Sequence, residues 1–145
     1  MKLRCIIVDD DENSRSVIEH CVSKTEFLSL EGIYSSAKDA LVGLKSKPAA
    51  VIFLDVEMPW MNGFEMLELL GDINFSIIFT TAHDEFAAKA FRISAVDYLL
   101  KPIDANDLKA AVQKVEKKMD EGSSLNHISN LLRNMRQPSS GQKIA

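Results

Sequence analysis

The stretch LRCIIVDDDE, residues 3–12, decides the fold, because it joins an apolar run to four consecutive acidic residues. A short, nearly continuous apolar run of this kind is typical of a strand buried in a parallel sheet. The carboxyl ends of parallel strands lie side by side in an open sheet, where binding sites form. Three further apolar runs also end on residues suited to bind a cation or an acyl phosphate: Val51–Leu54 at Asp55, Ile77–Phe79 at Thr80 and Thr81, and Tyr98–Leu100 at Lys101.

Strand-like and helix-like segments alternate five times along the chain. Strands are predicted near residues 3–8, 28–34, 50–54, 75–80 and 97–100, and the second, being the least apolar, is expected at an edge of the sheet. Helices are predicted from Asn13 or Ser14, over 36–46, after Asn62-Gly63, over 84–92 and from Asp104. Alternation with short connections predicts a doubly wound α/β domain.

The length and composition of the chain limit the kinds of protein that it can be. The 145 residues, 46% of them hydrophobic, suffice for one domain with a full core. We expect a cytoplasmic protein, because the sequence shows neither a secretory signal nor a membrane-spanning run. All 21 acidic residues lie at or before Glu121. An acidic domain is a poor nucleic-acid binder, so we expect no nucleic-acid or membrane partner for this chain.

The C-terminal part reads as a separate segment. Gly122-Ser123-Ser124 predicts a break, after which apolar residues at helical spacing predict a second amphipathic helix: Leu125, Ile128, Leu131, Leu132 and Met135. Residues 138–141 read as flexible linker. We therefore divide the chain into a domain over 1–121 and a linker helix with the truncated start of another domain over 122–145.

The acidic residues after the first strand predict a metal site. Asp9 and Asp10 follow a buried strand, with Asp55 expected opposite, whereas Asp11 and Glu12 read as a solvated turn that caps a helix. Clustered carboxylates repel one another, and a hard dication relieves that repulsion. Mg²⁺ needs only one or two carboxylates beside waters and a phosphate.

Asp55 is the predicted nucleophile toward phosphorus. Pro59 and Gly63 define the turn that follows it, which lets the main-chain carbonyl of Glu57 reach the metal. Catalysis of phosphoryl transfer is mostly positioning and charge stabilisation. Thr81 and Lys101 are predicted to contact phosphoryl oxygens, and Lys101-Pro102 is a candidate for a cis peptide bond.

Four segments, in matching order and spacing, resemble response-regulator receiver domains: IIVDDDENSR, FLDVEMPWMNGFEML, IIFTTAHDEFAAKAF and AVDYLLKPI. The resemblance implies a flavodoxin-like, doubly wound, five-stranded parallel sheet of order 2-1-3-4-5 with five helices, followed here by the linker helix. It implies that Asp55 is the phosphoacceptor, with Thr81 and Lys101 on the phosphoryl group and Tyr98 as an aromatic switch. Mg²⁺ would be held by Asp9, Asp10, Asp55 and the Glu57 carbonyl.

The segment HDEFAAKAFRISAVDYLLKPI is similar to receivers that precede a LytTR-type DNA-binding domain, as in LytR/AlgR regulators, and the final residues QKIA resemble the opening of such a domain. The resemblance implies a sensor histidine kinase as phosphodonor and a homodimer through helix 4, strand 5 and helix 5. DNA binding would belong to the missing domain. The chain would be a self-phosphorylating and self-dephosphorylating switch in transcription regulation rather than a classified enzyme.

Two other interpretations stay open at this point. A phosphohydrolase of the haloacid-dehalogenase type also phosphorylates an aspartate, but it expects a second Asp where this chain has Glu57. A receiver-like interaction module could instead work without phosphorylation.

Overall fold

The computed structural model describes residues 2–135, and their elements follow the predicted alternation. In chain order they are β1 Leu3–Val8, α1 Glu12–Ser23, β2 Leu28–Tyr34, α2 Ala37–Ser46, β3 Val51–Asp55, α3 Gly63–Leu70, β4 Ser76–Thr81, α4 Ala87–Arg92, β5 Asp97–Leu100 and α5 Ala105–Met135. A single 3₁₀ turn, Asp84–Phe86, precedes α4. Within these residues no helix combines the length and the apolarity that a membrane crossing requires.

The five strands form one parallel sheet of order β2-β1-β3-β4-β5. The predicted flavodoxin-like, doubly wound architecture is therefore confirmed, with the least apolar strand, β2, at an edge. The register aligns the carboxyl ends of the strands, because Val8 pairs with Leu54 and Asp55 pairs with Thr80. This alignment brings the polar residues that follow each strand to one edge of the sheet.

Helices cover both faces of the sheet and create two apolar clusters. Alternate residues of β3 enter opposite clusters, with Ile52 and Leu54 on one face and Val51 and Phe53 on the other. All five residues of β3 are buried. A central strand buried on both faces is held rigidly by packing, and that rigidity extends to the Asp55 side chain at its end.

The start of α5 agrees with the sequence prediction, whereas the start of α1 differs slightly. The Asp104 carboxylate accepts from Asn106 N at 2.7 Å, as predicted for the start of α5. The helix start predicted at Asn13 or Ser14 is one or two residues too late, since α1 begins at Glu12, and the acidic turn caps it as expected. Asp11 is the cap: one carboxylate oxygen accepts from Asn13 N at 3.1 Å, and the other accepts from Ser14 Oγ at 2.8 Å. The bond from Asn13 N satisfies one of the open amides at the start of the helix, and the bond from Ser14 Oγ fixes the cap side chain.

Two helices differ from their predicted extents. The predicted helix over 84–92 divides into the 3₁₀ turn and the shorter α4. The predicted break at residues 122–124 is wrong, since α5 continues through it to Met135. One glycine inside a helix costs only about 1 kcal/mol relative to alanine, and no proline lies within α5 to stop it. The linker predicted over 138–141 lies outside the described residues.

Candidate functional site

Three carboxylates meet at the carboxyl edge of the sheet. Asp9 and Asp10 follow β1 and Asp55 ends β3, and one oxygen of each lies within 4.8 Å of the others. Asp9 is 0% exposed and Asp55 is 2% exposed, whereas Asp10 is exposed. The cluster is therefore buried at its base and open to solvent on the side of Asp10.

The surroundings of Asp55 disfavour the ionised form of its carboxyl group. Burial, the charge of Asp9 and the contact with Asp10 raise its pKa to about 8, against the lowering effect of Lys101. Its Oδ1 accepts from Glu57 N at 3.2 Å. Its buried Oδ2 lies 3.2 Å from Lys101 Nζ but has no aligned hydrogen bond within the described residues. Such an oxygen is available to an additional ligand.

Lys101 supplies the positive charge of the site. Its amide donates to the Thr81 carbonyl at 2.7 Å, and the Lys101-Pro102 bond is cis, as the sequence suggested. Its ammonium lies 3.0 Å from Asp9 Oδ1. Burial lowers the pKa of Lys101, but the hydrogen bond and charge of Asp9 and the charge of Asp55 raise it more, so the net pKa is above its ordinary value. The ammonium therefore stays charged across the neutral range.

The donor set fits a magnesium ion. One oxygen from each of the three carboxylates offers the hard oxygen ligands that Mg²⁺ prefers, and Oδ2 of Asp55 accepts no hydrogen bond among the described residues. The side chain of Glu57 is not among them, because its Oε1 lies 2.9 Å from His83 Nε2. The metal-binding role predicted for the main-chain carbonyl of Glu57 stays a prediction.

β4 ends in two threonines whose hydroxyl groups make different hydrogen bonds. Thr81 is buried, and its hydroxyl accepts from His83 N at 3.1 Å. Thr80, also buried, donates from Oγ1 to Asp9 Oδ2 at 3.2 Å. From the sequence, both threonines at the end of this strand are candidates, but a specific role, contact with the phosphoryl group, is predicted for Thr81 alone. The sequence did carry a signal that the two threonines differ, because successive side chains along a strand lie on opposite faces of the sheet.

A second residue that the sequence reasoning missed is Arg15 on α1. Its guanidinium donates to the main-chain carbonyl of Asp9 at 2.9 Å. The contact fixes the backbone where the acidic turn leaves β1. An arginine four residues after the Asp11 cap lies one helical turn into α1, on the side of the cap.

Tyr98 on β5 connects the site to the segment before α4. Its hydroxyl donates to the main-chain carbonyl of His83 and accepts from Phe86 N at 3.2 Å. Burial raises the pKa of Tyr98, which keeps the hydroxyl protonated. The residue predicted as a switch is thus tied to the same segment whose His83 amide bonds to the Thr81 hydroxyl.

Comparison with known proteins shows the family to which the chain belongs. Residues 5–113 match the family model described as the response regulator receiver domain. An uncharacterized response regulatory protein of Shewanella oneidensis is 39% identical over 116 residues, which are 79% of this chain and 49% of that protein. The sensory transduction protein LytT of Bacillus anthracis is 31% identical over 117 residues, 79% of this chain and 48% of that protein.

The fold has close counterparts among solved structures. The REC domain of AraT, a response regulator from Geobacillus stearothermophilus, superposes with a TM-score of 0.76 at 28% identity, covering 85% of this chain and 99% of that one. The chain spans about half the length of the curated relatives it matches. On its fold, its clustered acidic site and these matches, the chain belongs to the receiver-domain family of two-component response regulators and is related to regulators of the LytTR type.

Proposed function

We propose that this receiver accepts a phosphoryl group on Asp55 from a phosphohistidine of a sensor kinase, with Mg²⁺ as cofactor. The observation that carries the proposal is the environment of Asp55, a buried carboxyl group with one oxygen that accepts no hydrogen bond among the described residues, beside a charged lysine and two further aspartates. Mg²⁺, held by Asp9, Asp10, Asp55 and the Glu57 carbonyl, would neutralise charge on the carboxylates and on the phosphoryl oxygens.

In the proposed transfer a carboxylate oxygen of Asp55 attacks phosphorus. The new O–P bond forms as the P–N bond to the histidine breaks, and its electron pair returns to the imidazole nitrogen. Lys101 turns its ammonium from Asp9 and Asp55 toward a phosphoryl oxygen, and the Thr81 hydroxyl donates to another. Both groups are placed by β4 and β5, whose backbones are joined at Thr81 and Lys101.

The output would be a change in the surface of α4, β5 and α5. If Thr81 moves toward the phosphoryl group, the His83 segment bonded to it moves as well, and Tyr98 loses or shifts its contacts there. Such a ligand shifts a population between two arrangements. The face already exposes Phe91 and Leu100, at 84% and 49%. Apolar exposure of this kind supports homodimerisation through the face.

For the parent protein we propose control of transcription through a C-terminal LytTR-type DNA-binding domain. The curated relatives are about twice as long as the part they share with this chain, and one of them is LytT. Residues 1–121 would form the receiver, and residues 122–145 would link it to that domain. The kinase donor would work in the cytoplasm, so we place the receiver there. The chain is proposed to act as a switch rather than a turnover enzyme.

Acetyl phosphate with Mg²⁺ tests the proposal, with the product separated on a phosphate-affinity gel beside Asp55→Asn. We expect a shifted band that requires Mg²⁺ and is absent from the variant, and the phosphorylated sample should elute as a larger species in size-exclusion chromatography. A folded protein that forms neither this band nor a beryllofluoride adduct would contradict the proposal and favour an interaction module that works unphosphorylated.

A further inference from the structure

Thr80 makes a contact that crosses the sheet. The strand order places β3 between β1 and β4, so Thr80 and the residue after β1 are not on neighbouring strands. Nevertheless its hydroxyl donates to Asp9 Oδ2 at 3.2 Å, above the end of β3. Its carbonyl meanwhile accepts from Val56 N at 2.9 Å. Thr80 therefore binds the loop after Asp55 through its backbone and Asp9 through its side chain.

The Asp9 carboxylate is held on both oxygens. Oδ1 accepts from the Asp11 amide at 2.9 Å and from Lys101 Nζ at 3.0 Å. Oδ2 accepts from Thr80, its one hydrogen-bond donor among the described residues. The Asp9 side chain is 1% exposed, so water does little to replace a donor that leaves.

This arrangement matters because Lys101 is shared. In the resting structure its ammonium lies 3.0 Å from Asp9 and 3.2 Å from Asp55. Contact with an incoming phosphoryl oxygen draws Lys101 away from Asp9, which leaves a buried carboxylate with one charge-assisted bond fewer. The cost of that loss depends on the donors that remain, and Thr80 is the side chain among them.

We propose that Thr80 is a positioning residue for phosphoryl transfer, whose hydroxyl holds the Asp9 carboxylate in place while Lys101 moves from Asp9 to the phosphoryl group. The inference rests on the proposed function, since it concerns the same site. It assigns Thr80 no contact with the phosphoryl group, which distinguishes it from the neighbouring Thr81.

Affinity for beryllofluoride, an inorganic stand-in for the phosphoryl group, measures this role without turnover. Isothermal titration calorimetry with Mg²⁺ would compare the wild type with Thr80→Val, which replaces the hydroxyl by a methyl group, and Thr80→Ser, which keeps the hydroxyl. Ile78→Val is the matched control, because Ile78 is buried on the same strand and packs in the apolar cluster of α1 and α5. Thermal unfolding of each variant verifies folding, and Thr80→Ala is the second hydroxyl-free variant.

We expect Thr80→Val to bind beryllofluoride about tenfold more weakly, as for a lost hydrogen bond to a charged group, and Thr80→Ser to regain most of the affinity. Ile78→Val should lower the unfolding temperature without changing the affinity. In thermal unfolding without Mg²⁺, Thr80→Val should have little further effect on the unfolding temperature in an Asp9→Asn background, because both residues act through one contact.

Three results would overturn the role of Thr80. Thr80→Val and Thr80→Ala could bind as tightly as the wild type, the losses for Thr80→Val and Ile78→Val could match, or the effects of Thr80→Val and Asp9→Asn on the unfolding temperature could add in full. A wild-type chain that binds no beryllofluoride and takes up no phosphoryl group would overturn the proposed function itself, and the inference with it.

Discussion

Replacing Asp55 by Asn should stabilise the folded protein at neutral pH in the absence of divalent cations. The wild-type carboxyl is buried beside Asp9 and Asp10, and its pKa is raised from 3.8 to about 8. The folded state therefore holds the proton more tightly than the unfolded state does. The sign follows directly: the stability linked to this group is fully present below about pH 4 and is lost as the pH rises toward 8.

The size of this free-energy penalty follows from the difference between the folded and unfolded pKa values. Each unit corresponds to about 1.4 kcal/mol, so at pH 7, roughly three units above the ordinary value, the penalty reaches at most about 4 kcal/mol. Asn resembles the neutral carboxyl but adds an NH₂ group near the Lys101 ammonium, which offsets part of the gain. We expect Asp55→Asn to raise the free energy of unfolding by about 2 kcal/mol at pH 7.

Urea unfolding followed by circular dichroism at pH 5, 6, 7 and 8, with a chelator present, measures this difference. The gap between Asp55→Asn and the wild type should widen with pH. Adding Mg²⁺ should stabilise the wild type and narrow the gap, whereas the variant, lacking one ligand, should respond weakly. A gap that stays constant with pH, or a variant less stable than the wild type at pH 7, would refute the electrostatic account of Asp55.

Three further predictions concern contacts around the site and the opposite side of the sheet. The half-exposed Glu57–His83 pair, at 2.9 Å, should show a coupling of at most about 1 kcal/mol in a double-alanine cycle of thermal stability, and a larger value would contradict its exposure. Tyr98→Phe should leave beryllofluoride binding intact yet speed amide hydrogen exchange over residues 84–92, because the hydroxyl anchor is lost; unchanged exchange would argue against that anchor. Gly43→Ala should destabilise by about 1–3 kcal/mol in urea unfolding, since its Cβ would lie 2.0 Å from Tyr34 Oη, and a neutral effect would mean the ring moves freely.

The sequence alone predicted the parts of the fold that depend on residues close together along the chain. Each strand is an apolar run, each run stops at a polar residue, and the alternation with helical segments defines the doubly wound sheet. Strand ends in such a sheet share one edge, so the sequence alone predicts that four residues lie together: Asp9, Asp10, Asp55 and Lys101. The helix ends were predicted less well. α1 begins at Glu12 and not at Asn13 or Ser14, because the Asp11 carboxylate that accepts from Asn13 N already caps the helix there.

The tertiary structure decided which side chains pair at that edge. The contact from Thr80 to Asp9 joins residues 71 positions apart, and the contact from Lys101 to Asp9 joins residues 92 apart. The Glu57–His83 pair likewise joins two loops that are separate in sequence. Such pairs depend on strand order, register and side-chain rotamer together, none of which a local pattern specifies. The sequence therefore determined which chemical groups reach the site, and only the packed sheet decided which of them hold one another in place.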